Sequence, residues 1–383
     1  MSTGFIPLSD PHVTAAEIEA VKRVLHSPRL SAGPEVQAFE EAFAAYAGRK
    51  FAIAVASGTI GMLLVLKAYH IGPGDEVIAS SYSWRETAHA IVLSGATPVF
   101  ADIDYRVGTL VPEKAEACVT GKTRAILAGN TNGHPAPWDE FRELALRRGL
   151  ILIEDSTEAI GSVFQGKAVG SFGDCSVFDF SQPGAIACGE GAMIVTDDEE
   201  TAYAIRRQRG RLPEERTSVS VTTAVPYQAA MSDLSAALGL AQLKRIEDIL
   251  ALREAVAGHY FKYLRSFEGI KDPKTAPGVD KIYWFLYTVH LGTRFSRSSR
   301  DAIAEDLKTH EIEAAGYSQP LHLQRYYLDA GPKRGELFVT EKIAARALAL
   351  PLHPHLTEAQ IAFIAETVKD ASVNVGAGSA IYL

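Results

Sequence analysis

A short polar sequence between an apolar strand and a helix has the composition of an anion-binding loop. Ser57-Gly58-Thr59 follows the apolar segment Ala52–Val55 and precedes an apolar stretch with helical spacing. Free backbone N–H groups and the dipole at the start of a helix favour a phosphate, and the two hydroxyls add donors. The same residues are favoured N-caps. Two interpretations therefore stay open from the residues alone, a phosphate loop and a simple helix cap.

Asp155 is a second candidate because it follows Leu150–Ile153, whose composition is typical of a buried strand. A carboxylate at the carboxyl end of a strand can pair with the nitrogen cation of a cofactor and hold its proton. It can equally cap the next helix. Trp84, in SSYSWRETAHA, can stack on a planar ring or belong to the core.

Tyr317 and His322 are a third pair of candidates, and they lie together in the loop-like stretch GYSQPLHLQRYY. A single histidine is usually structural. Beside a tyrosine, its imidazole can also bind a polar substrate.

A loop between two buried strands is the most favourable place in this chain to display reactive groups. It lies within Gly173–Asp197, GDCSVFDFSQPGAIACGEGAMIVTD, where apolar β-formers precede and follow the loop. Ser181–Gly184 and Gly189–Gly191 have turn-forming composition. A loop held at both ends by core strands is rigid, so its side chains are candidates for chemistry.

Composition and charge argue against several classes of function. The 383 residues are 47% hydrophobic and 22% charged, which predicts a globular protein with ample core. A net charge of −8 gives no electrostatic support for nucleic-acid binding. No apolar run approaches the roughly 20 residues of a membrane span, and the N-terminus MSTGFIPLSDPHVT does not resemble a secretory signal.

The cysteines predict neither a disulfide framework nor a metal site. Cys118, Cys175 and Cys188 are odd in number and lack metal-binding spacing. We expect reduced thiols in a cytoplasmic protein.

Short apolar segments alternate with helical ones through the first part of the chain. This alternation predicts an α/β domain with a mostly parallel sheet, whose ligand groups lie at the carboxyl ends of the strands. The predicted strands are Ala52–Val55, Glu76–Ser80, Pro98–Ala101, Arg124–Gly129 and Leu150–Asp155, and the crossover helices are Thr87–Ser94, Pro112–Val119 and Trp138–Arg148.

The pattern changes after Met231, where strands and helices no longer alternate strictly. We therefore predict a large cofactor-binding α/β domain over residues 1–249 and a smaller α+β domain over residues 250–383. The helix predicted over Ser232–Leu250 leads up to this boundary, and the second domain is supported by the strand Ile282–Leu291 and the helices Ser296–Thr309 and Thr357–Ala371.

Motifs along nearly the whole chain together resemble one family. They are ASGTIGMLL, GPGDEVIASSYSW, GATPVFADID, LILIEDSTEAIGS, VGSFGD, CGEGAMIVTDD, MSDLSAALGLAQL and YSQPLHLQRYY. Their order resembles that of the DegT/StrS family of nucleotide-sugar aminotransferases. The resemblance implies the fold type I of aspartate aminotransferase and dependence on pyridoxal phosphate, and it is more specific for fold than for activity.

The resemblance also implies roles for the first set of candidate residues. Ser57, Gly58 and Thr59 fall on the loop that binds the cofactor phosphate. Trp84 falls where an aromatic side chain stacks on the pyridine ring, and Asp155 falls on the acid that pairs with the pyridine nitrogen.

The remaining roles belong to the rim of the same expected site. Glu158 falls where the family usually has Gln or His near the phenolic oxygen of the ring. Tyr317 and His322 match a loop that contributes to the active site, commonly across the dimer interface. Ser181 and Gln228 are expected as further cofactor contacts, Gln228 at an Asn that comes from the partner subunit.

The loop after Gly173–Asp174 departs from the family pattern in two places. The family reads like F-S-F-x-x-x-K, and the register places Gly184 at the lysine that forms the Schiff base. Asp179 replaces a serine that helps to hold the phosphate, and a carboxylate repels a dianion there unless it is protonated or turned away. Lys167 matches a surface turn, and Ala230 replaces a family arginine.

Three functional hypotheses follow from these departures. The first is a divergent enzyme, a transferase or lyase acting on a keto or amino sugar linked to a nucleotide, in sugar or natural-product biosynthesis. It would hold pyridoxal phosphate or pyridoxamine phosphate non-covalently, or use neither. The second is a non-catalytic subunit that lends Tyr317, His322 and Gln228 to an active relative. The third is an ordinary aminotransferase with an engineered substitution at Gly184. The second departure, at Asp179, argues against this third hypothesis.

The resemblance also predicts the partners. We expect a small-molecule substrate, a nucleotide sugar, and a homodimer or a heterodimer with an active homologue. Neither nucleic acid nor membrane is expected as a partner.

Overall fold

The computed structural model describes residues 4–181, 183–210, 225–265, 267, 270–271, 275–328 and 331–381. Its strands are β1 (Phe51–Val55), β2 (Glu76–Ser80), β3 (Thr97–Ala101), β4 (Thr123–Gly129), β5 (Ile151–Asp155), β6 (Val163–Phe164), β7 (Lys167–Ala168), β8 (Cys175–Asp179), β9 (Ala192–Thr196), β10 (Ile270–Lys271), β11 (Val279–Lys281), β12 (Tyr287–Leu291), β13 (Ala315–Gly316) and β14 (Ala347–Leu350). Its helices are α1 (Ala15–Leu25), α2 (Pro34–Ala47), α3 (Gly58–Ala68), α4 (Arg85–Ser94), α5 (Pro112–Ala117), α6 (Trp138–Arg148), α7 (Glu199–Arg209), α8 (Asp233–Leu243), α9 (Ile246–Leu264), α10 (Arg297–Thr309), α11 (Phe338–Ala344) and α12 (Glu358–Ile381).

The main sheet brings distant parts of the chain to one edge. Within the described residues it has seven strands in the order β1-β9-β8-β5-β4-β2-β3. β9 is antiparallel to both of its neighbours, and the other adjacent pairs are parallel. The remaining six strands therefore share one direction and end at the same edge. The predicted α/β fold with a mostly parallel sheet is confirmed.

Helices cover both faces of this sheet because the side chains of its strands alternate. On β8, Val177 packs in the same apolar cluster as Leu64 of α3, whereas Phe178 packs in a different cluster with α2. The ring of Phe178 meets that of Phe43 edge-on, with centroids 5.0 Å apart. Burial on both faces fixes the register of β8, and so fixes the residue at its end.

Two helices begin with a capping box. Thr14 accepts a hydrogen bond from the backbone of α1 while Glu17 accepts one from the N–H of Thr14. Thr357 and Gln360 exchange the equivalent bonds at the start of α12.

Two predicted elements differ from the structure. The helix predicted over Ser232–Leu250 is two helices, α8 and α9, which are separated at residues 244–245. The strand predicted over Ile282–Leu291 begins only at Tyr287. The preceding carbonyls of Trp284 and Phe285 accept hydrogen bonds from the guanidinium of Arg253, so they do not belong to a β ladder.

The C-terminal part of the chain forms a second sheet, β10-β12-β14-β13, packed with α9, α10 and α12. The N-terminal segment joins it. Ile6 forms a bridge to Ile312, and its side chain is buried in the core of the C-terminal part. The domain boundary at residue 250 remains a prediction. Residues 6–8 pack against the part of the chain that follows this boundary. A small third sheet, β11-β6-β7, lies beside the main one.

Two further features bear on the expected class of protein. The three cysteines are free thiols, two of them buried. In the part of the chain that the structure describes, none of the helices is both long and apolar enough to span a membrane.

Candidate functional site

Three carboxyl side chains meet at the edge where the parallel strands end. Asp155 is the last residue of β5, Asp179 is the last residue of β8, and the two strands are neighbours. Glu158 follows Asp155 after three residues and is buried. The site predicted from strand ends is therefore assembled by the order of the strands in the sheet.

The Asp179 carboxylate lies against the start of α3. Its Oδ2 accepts a hydrogen bond of 2.6 Å from the backbone N–H of Gly58. Its Oδ1 accepts one of 2.7 Å from the N–H of Ser181, and a further one from the Ser181 hydroxyl. The Ser57 hydroxyl caps α3 by accepting from the N–H of Ile60 at 3.4 Å. The loop is thus both a helix cap and an anion-binding loop, and its anion is Asp179.

Gly58 is required by this close approach. A Cβ atom at Gly58 would lie 2.8 Å from both Cβ and Oδ2 of Asp179. Such contacts are not tolerated, so a larger residue at position 58 would displace the carboxylate. Thr59, the second residue of α3, is half-buried.

Asp155 is a buried acid held by neutral donors. Its Oδ2 accepts from the hydroxyl of Thr87 and its Oδ1 from the N–H of Thr157, both at 3.2 Å. Burial raises the pKa of Asp155, and the neighbouring charge of Asp179 acts in the same direction. A cation placed at Asp155 would stabilise its ionised form.

Glu158 collects three donors in the interior of the site. It accepts from the N–H of Asn132 at 2.6 Å, from the hydroxyl of Tyr317 at 2.5 Å and from the indole N–H of Trp84. Burial nevertheless raises the pKa of Glu158 to about 7, because these hydrogen bonds offset only part of the cost of burying its charge. The group can therefore hold or release a proton near neutral pH.

Trp84 lies at the mouth of the site. Its indole is 38% exposed, and its ring meets that of Phe285 edge-on with centroids 6.1 Å apart. A cleft lined by Thr157, Ala185 and Tyr283 adjoins Glu158. The structure thus brings Trp84 and Glu158 together.

The expected contribution of Tyr317 and His322 across a subunit interface stays a prediction, and the structure shows their contacts within the chain. The Tyr317 hydroxyl donates to Glu158 of its own chain. His322 is fully buried, with its Nδ1 2.7 Å from Oγ of Ser81 and its Nε2 3.2 Å from Oε1 of Glu341. Both ring nitrogens of His322 are engaged inside the chain, so its side chain holds the loop in place.

The positions of Gly184 and Gln228 complete the predicted set. Gly184 is half-buried in the loop between β8 and β9, and a Cβ atom there would lie 3.1 Å from the carbonyl oxygen of Ile186. Gln228 is exposed and has a left-handed backbone, with φ of 54°. Its neighbour Ala230 bridges to Val55 at the end of β1. Gln182, in the same predicted turn as Gly184, lies outside the described residues.

Sequence reasoning missed the residues that orient these carboxyls. Thr87, Thr157 and Asn132 each donate to one of them. Asn132 also accepts from the N–H of Leu286, which ties the site to the C-terminal part. Part of their signal was available, because Asn132 and Thr157 closely follow the ends of β4 and β5, whereas Thr87 lies in the first turn of α4.

Glu154 was also missed, and it is fully buried behind the site. It accepts from the N–H groups of Gly170, Phe172 and Gly173 and from the hydroxyl of Ser176. These bonds anchor the segment that leads into β8. Glu154 therefore supports the position of Asp179 without facing the site.

Comparison with known proteins decides the family. A model of the DegT/DnrJ/EryC1/StrS aminotransferase family matches residues 11–369. The chain belongs to this family. The resemblance predicted from motifs is confirmed, and with it the fold type I of the family's pyridoxal-phosphate-dependent sugar aminotransferases.

Relatives in the DegT/DnrJ/EryC1/StrS family match nearly the whole chain. The spore coat polysaccharide biosynthesis protein SpsC of Bacillus subtilis is 35% identical over 96% of this chain and 97% of its own length. GDP-perosamine synthase of Caulobacter vibrioides is 37% identical over 93% and 95%. The crystal structure of S. venezuelae DesV with a ketimine intermediate has a TM-score of 0.89 and 32% identity, covering 97% of this chain and 99% of DesV.

The phosphate end of this site does not fit the cofactor of the DegT/DnrJ/EryC1/StrS family. The N–H of Gly58 and both donors of Ser181 already bind Asp179. A phosphate dianion at the same donors would be in contact with a carboxylate, and like charges at that distance repel strongly. The end of the site expected to hold the pyridine ring is different. There Asp155 is an acid at the family's position, and it can pair with a nitrogen cation.

Proposed function

We propose that the protein binds a nucleotide-linked sugar, or a related small molecule of sugar or natural-product biosynthesis, and acts on it without a Schiff base to its own chain. The observation that carries the proposal is the loop after β8. It has Gly184 where the sequence register predicts the lysine, and a glycine has no amine with which to form a Schiff base.

The names of the relatives support the substrate class. One relative is a GDP-perosamine synthase and another belongs to spore coat polysaccharide biosynthesis. Both match this chain along more than nine tenths of its length, which supports a substrate of the same class.

The groups available for chemistry are carboxyls and a phenol. Glu158 has a pKa near 7 and lies beside the Tyr317 hydroxyl, so this pair can hold a proton and pass it to or from a ligand in the adjoining cleft. Asp155 supplies a second buried acid. The chemistry proposed for these groups is proton transfer to or from the bound sugar, with no imine to the protein.

The contacts of two residues give no support to the alternative of a subunit that lends residues to an active relative. Tyr317 and His322 are both engaged inside their own chain. Gln228 is the exposed residue of the predicted three. The alternative of an engineered lysine substitution does not account for Asp179, whose carboxylate is fully hydrogen-bonded where a cofactor phosphate is expected.

The experiment is titration calorimetry of the purified protein with GDP- and UDP-linked 4-keto sugars, with GDP, UDP and the free sugars as comparisons. We expect saturable binding that requires both the nucleotide and the sugar. Product formation is followed by mass spectrometry without an amino donor. The proposal is wrong if none of the nucleotide sugars binds more tightly than its nucleotide alone.

A second arm tests the Schiff-base part of the proposal. The protein is incubated with pyridoxal phosphate, reduced with borohydride and mapped by mass spectrometry, with Gly184→Lys as the matched variant. We expect no band at roughly 400–430 nm and no reduced adduct within the site of the unmodified protein. An adduct in the site at another lysine would contradict the proposal.

A further inference from the structure

The Asp179 carboxylate has the partners of a bound anion. Its two oxygens accept from the Gly58 N–H at the start of α3, and from the N–H and hydroxyl of Ser181 after β8. These donors belong to segments more than a hundred residues apart in sequence. Backbone N–H groups at the start of a helix favour a single negative charge. Asp179 supplies that charge from within the chain.

We infer that Asp179 is a built-in substitute for a phosphate, which fills the cradle at the start of α3 and keeps phosphate-bearing ligands, pyridoxal phosphate included, out of it. The inference concerns only the cradle formed by Gly58, Asp179 and Ser181. It holds whatever sugar the protein binds.

The backbone of Asp179 is fixed, so its side chain occupies the cradle persistently. Asp179 pairs with Ala192 in the ladder between β8 and β9. Its N–H donates to Oγ1 of Thr157 at 3.1 Å. The side chain then packs on Gly58, where a Cβ atom would lie 2.8 Å from Oδ2. Glycine at position 58 and aspartate at position 179 are therefore complementary in shape.

The far end of the expected cofactor position also carries a carboxyl group. Glu158 is a carboxyl at the position where the resemblance places a neutral Gln or His near the phenolic oxygen of the ring. Trp84, Asn132 and Tyr317 all donate to it. Both anionic parts of pyridoxal phosphate would thus meet a carboxyl, whereas the cationic ring nitrogen would still meet Asp155.

The experiment removes the built-in anion and asks whether an external one enters. Asp179→Ser and Asp179→Asn are compared with the unmodified protein by calorimetry and by the thermal midpoint of unfolding. The ligands are inorganic phosphate and pyridoxine 5′-phosphate, with pyridoxine as the form without phosphate. Pyridoxine 5′-phosphate has no aldehyde and so does not react with lysines elsewhere on the protein.

We expect both variants to bind the two phosphate compounds at least tenfold more tightly than the unmodified protein, and to be stabilised by them in proportion to occupancy. The affinity for pyridoxine should not change by the same factor. Asp179→Asn keeps the shape of the side chain and removes only its charge, so it provides the result if the serine variant does not fold.

The matched control is Asp198→Ser. Asp198 also lies at the start of a helix, as the N-cap of α7, and its Oδ2 accepts from the N–H of Thr201 at 2.7 Å. Its replacement should not increase phosphate affinity. An equal gain in Asp198→Ser would overturn the inference, as would tight phosphate binding by the unmodified protein or the absence of any gain in the folded Asp179 variants. Because no sugar is used, these outcomes do not bear on the proposed substrate.

Discussion

The three carboxyls of the site differ because their surroundings differ. Asp179 is half-buried and bound by three donors from backbone and hydroxyl groups. Glu158 also has three donors, but it is buried, and its pKa rises to about 7. Burial also raises the pKa of Asp155. Hydrogen bonds favour the charged form while burial opposes it, so residue type alone does not decide which of them carries a proton.

Glu158 should make stability depend on pH. Its pKa is about 7 in the folded protein against an ordinary value of 4.5. Between these values only the unfolded chain loses the proton, so the free energy of unfolding falls as the pH rises, by about 3 kcal/mol at most. Urea unfolding from pH 4 to pH 8 should show a shallower fall for Glu158→Gln than for the unmodified protein.

Glu366→Gln is the control for this prediction, because Glu366 is exposed on α12. Its stability should follow that of the unmodified protein across the whole pH range. Parallel curves for Glu158→Gln and the unmodified protein would show that Glu158 titrates at its ordinary pKa.

At the scale of elements, α9 holds the chain that faces the site. Arg253 is buried on this helix, and burial lowers its pKa to about 10, which still leaves it charged at neutral pH. Its guanidinium donates to the carbonyls of Leu352 at 3.0 Å, Trp284 at 3.1 Å and Phe285 at 2.7 Å. One side chain thus satisfies three carbonyls, those of Leu352 and Phe285 in buried contacts, and places Phe285 beside Trp84.

Arg253→Met should destabilise the protein by about 3 kcal/mol or more. Methionine has a side chain of similar length but no hydrogen-bond donor, so the carbonyls of Leu352, Trp284 and Phe285 lose their partner. Chemical unfolding followed by tryptophan fluorescence measures this, and the native fluorescence should also change because Trp84 and Trp284 lie nearby. Arg253→Lys should recover only part of the loss, since a single ammonium lacks the planar fork of donors.

The control is Arg23→Met, on the exposed side of α1. Its effect should stay within about 0.5 kcal/mol, as is usual for surface positions. A loss in Arg253→Met no larger than this would show that the carbonyls find other donors.

At the scale of the whole molecule, the two ends of the sequence fold together. The N–H of Ile6 donates to the carbonyl of Glu311 at 2.8 Å, and the N–H of Glu313 donates to the carbonyl of Ile6 at 2.9 Å. The N–H of Leu352 donates to Leu8 at 3.1 Å. The N-terminal segment is therefore part of the C-terminal core, so the complete core includes contacts between residues separated by most of the chain.

Ile6→Ala should destabilise the protein by about 2–5 kcal/mol, the usual range for removing a buried aliphatic side chain. Phe5→Ala is the matched control, since the neighbouring side chain is 63% exposed whereas Ile6 is 1% exposed. Urea unfolding of both variants provides the comparison. Similar losses in the two would mean that the segment contributes through its backbone alone.

The alternation of strands and helices was sufficient to predict the parallel part of the main sheet from β1 to β5, because local propensity and burial agree there. It failed at Ile282–Leu291, where a distant arginine takes the carbonyls that a strand would use. The break between α8 and α9 was equally hidden, since both helices continue one apolar pattern.

The sequence by itself determined the family, the glycine at position 184 and the aspartate at position 179, because these depend on residue order alone. Only the tertiary structure decided where the Asp179 carboxylate lies and which groups Tyr317 and His322 contact. It also decided that the pKa of Glu158 is near neutrality. These features depend on hydrogen-bond donors that are remote in sequence, namely Gly58 at the start of α3, Asn132 after β4 and Tyr317 in the C-terminal part. They also depend on burial, which arises only when the sheet is assembled.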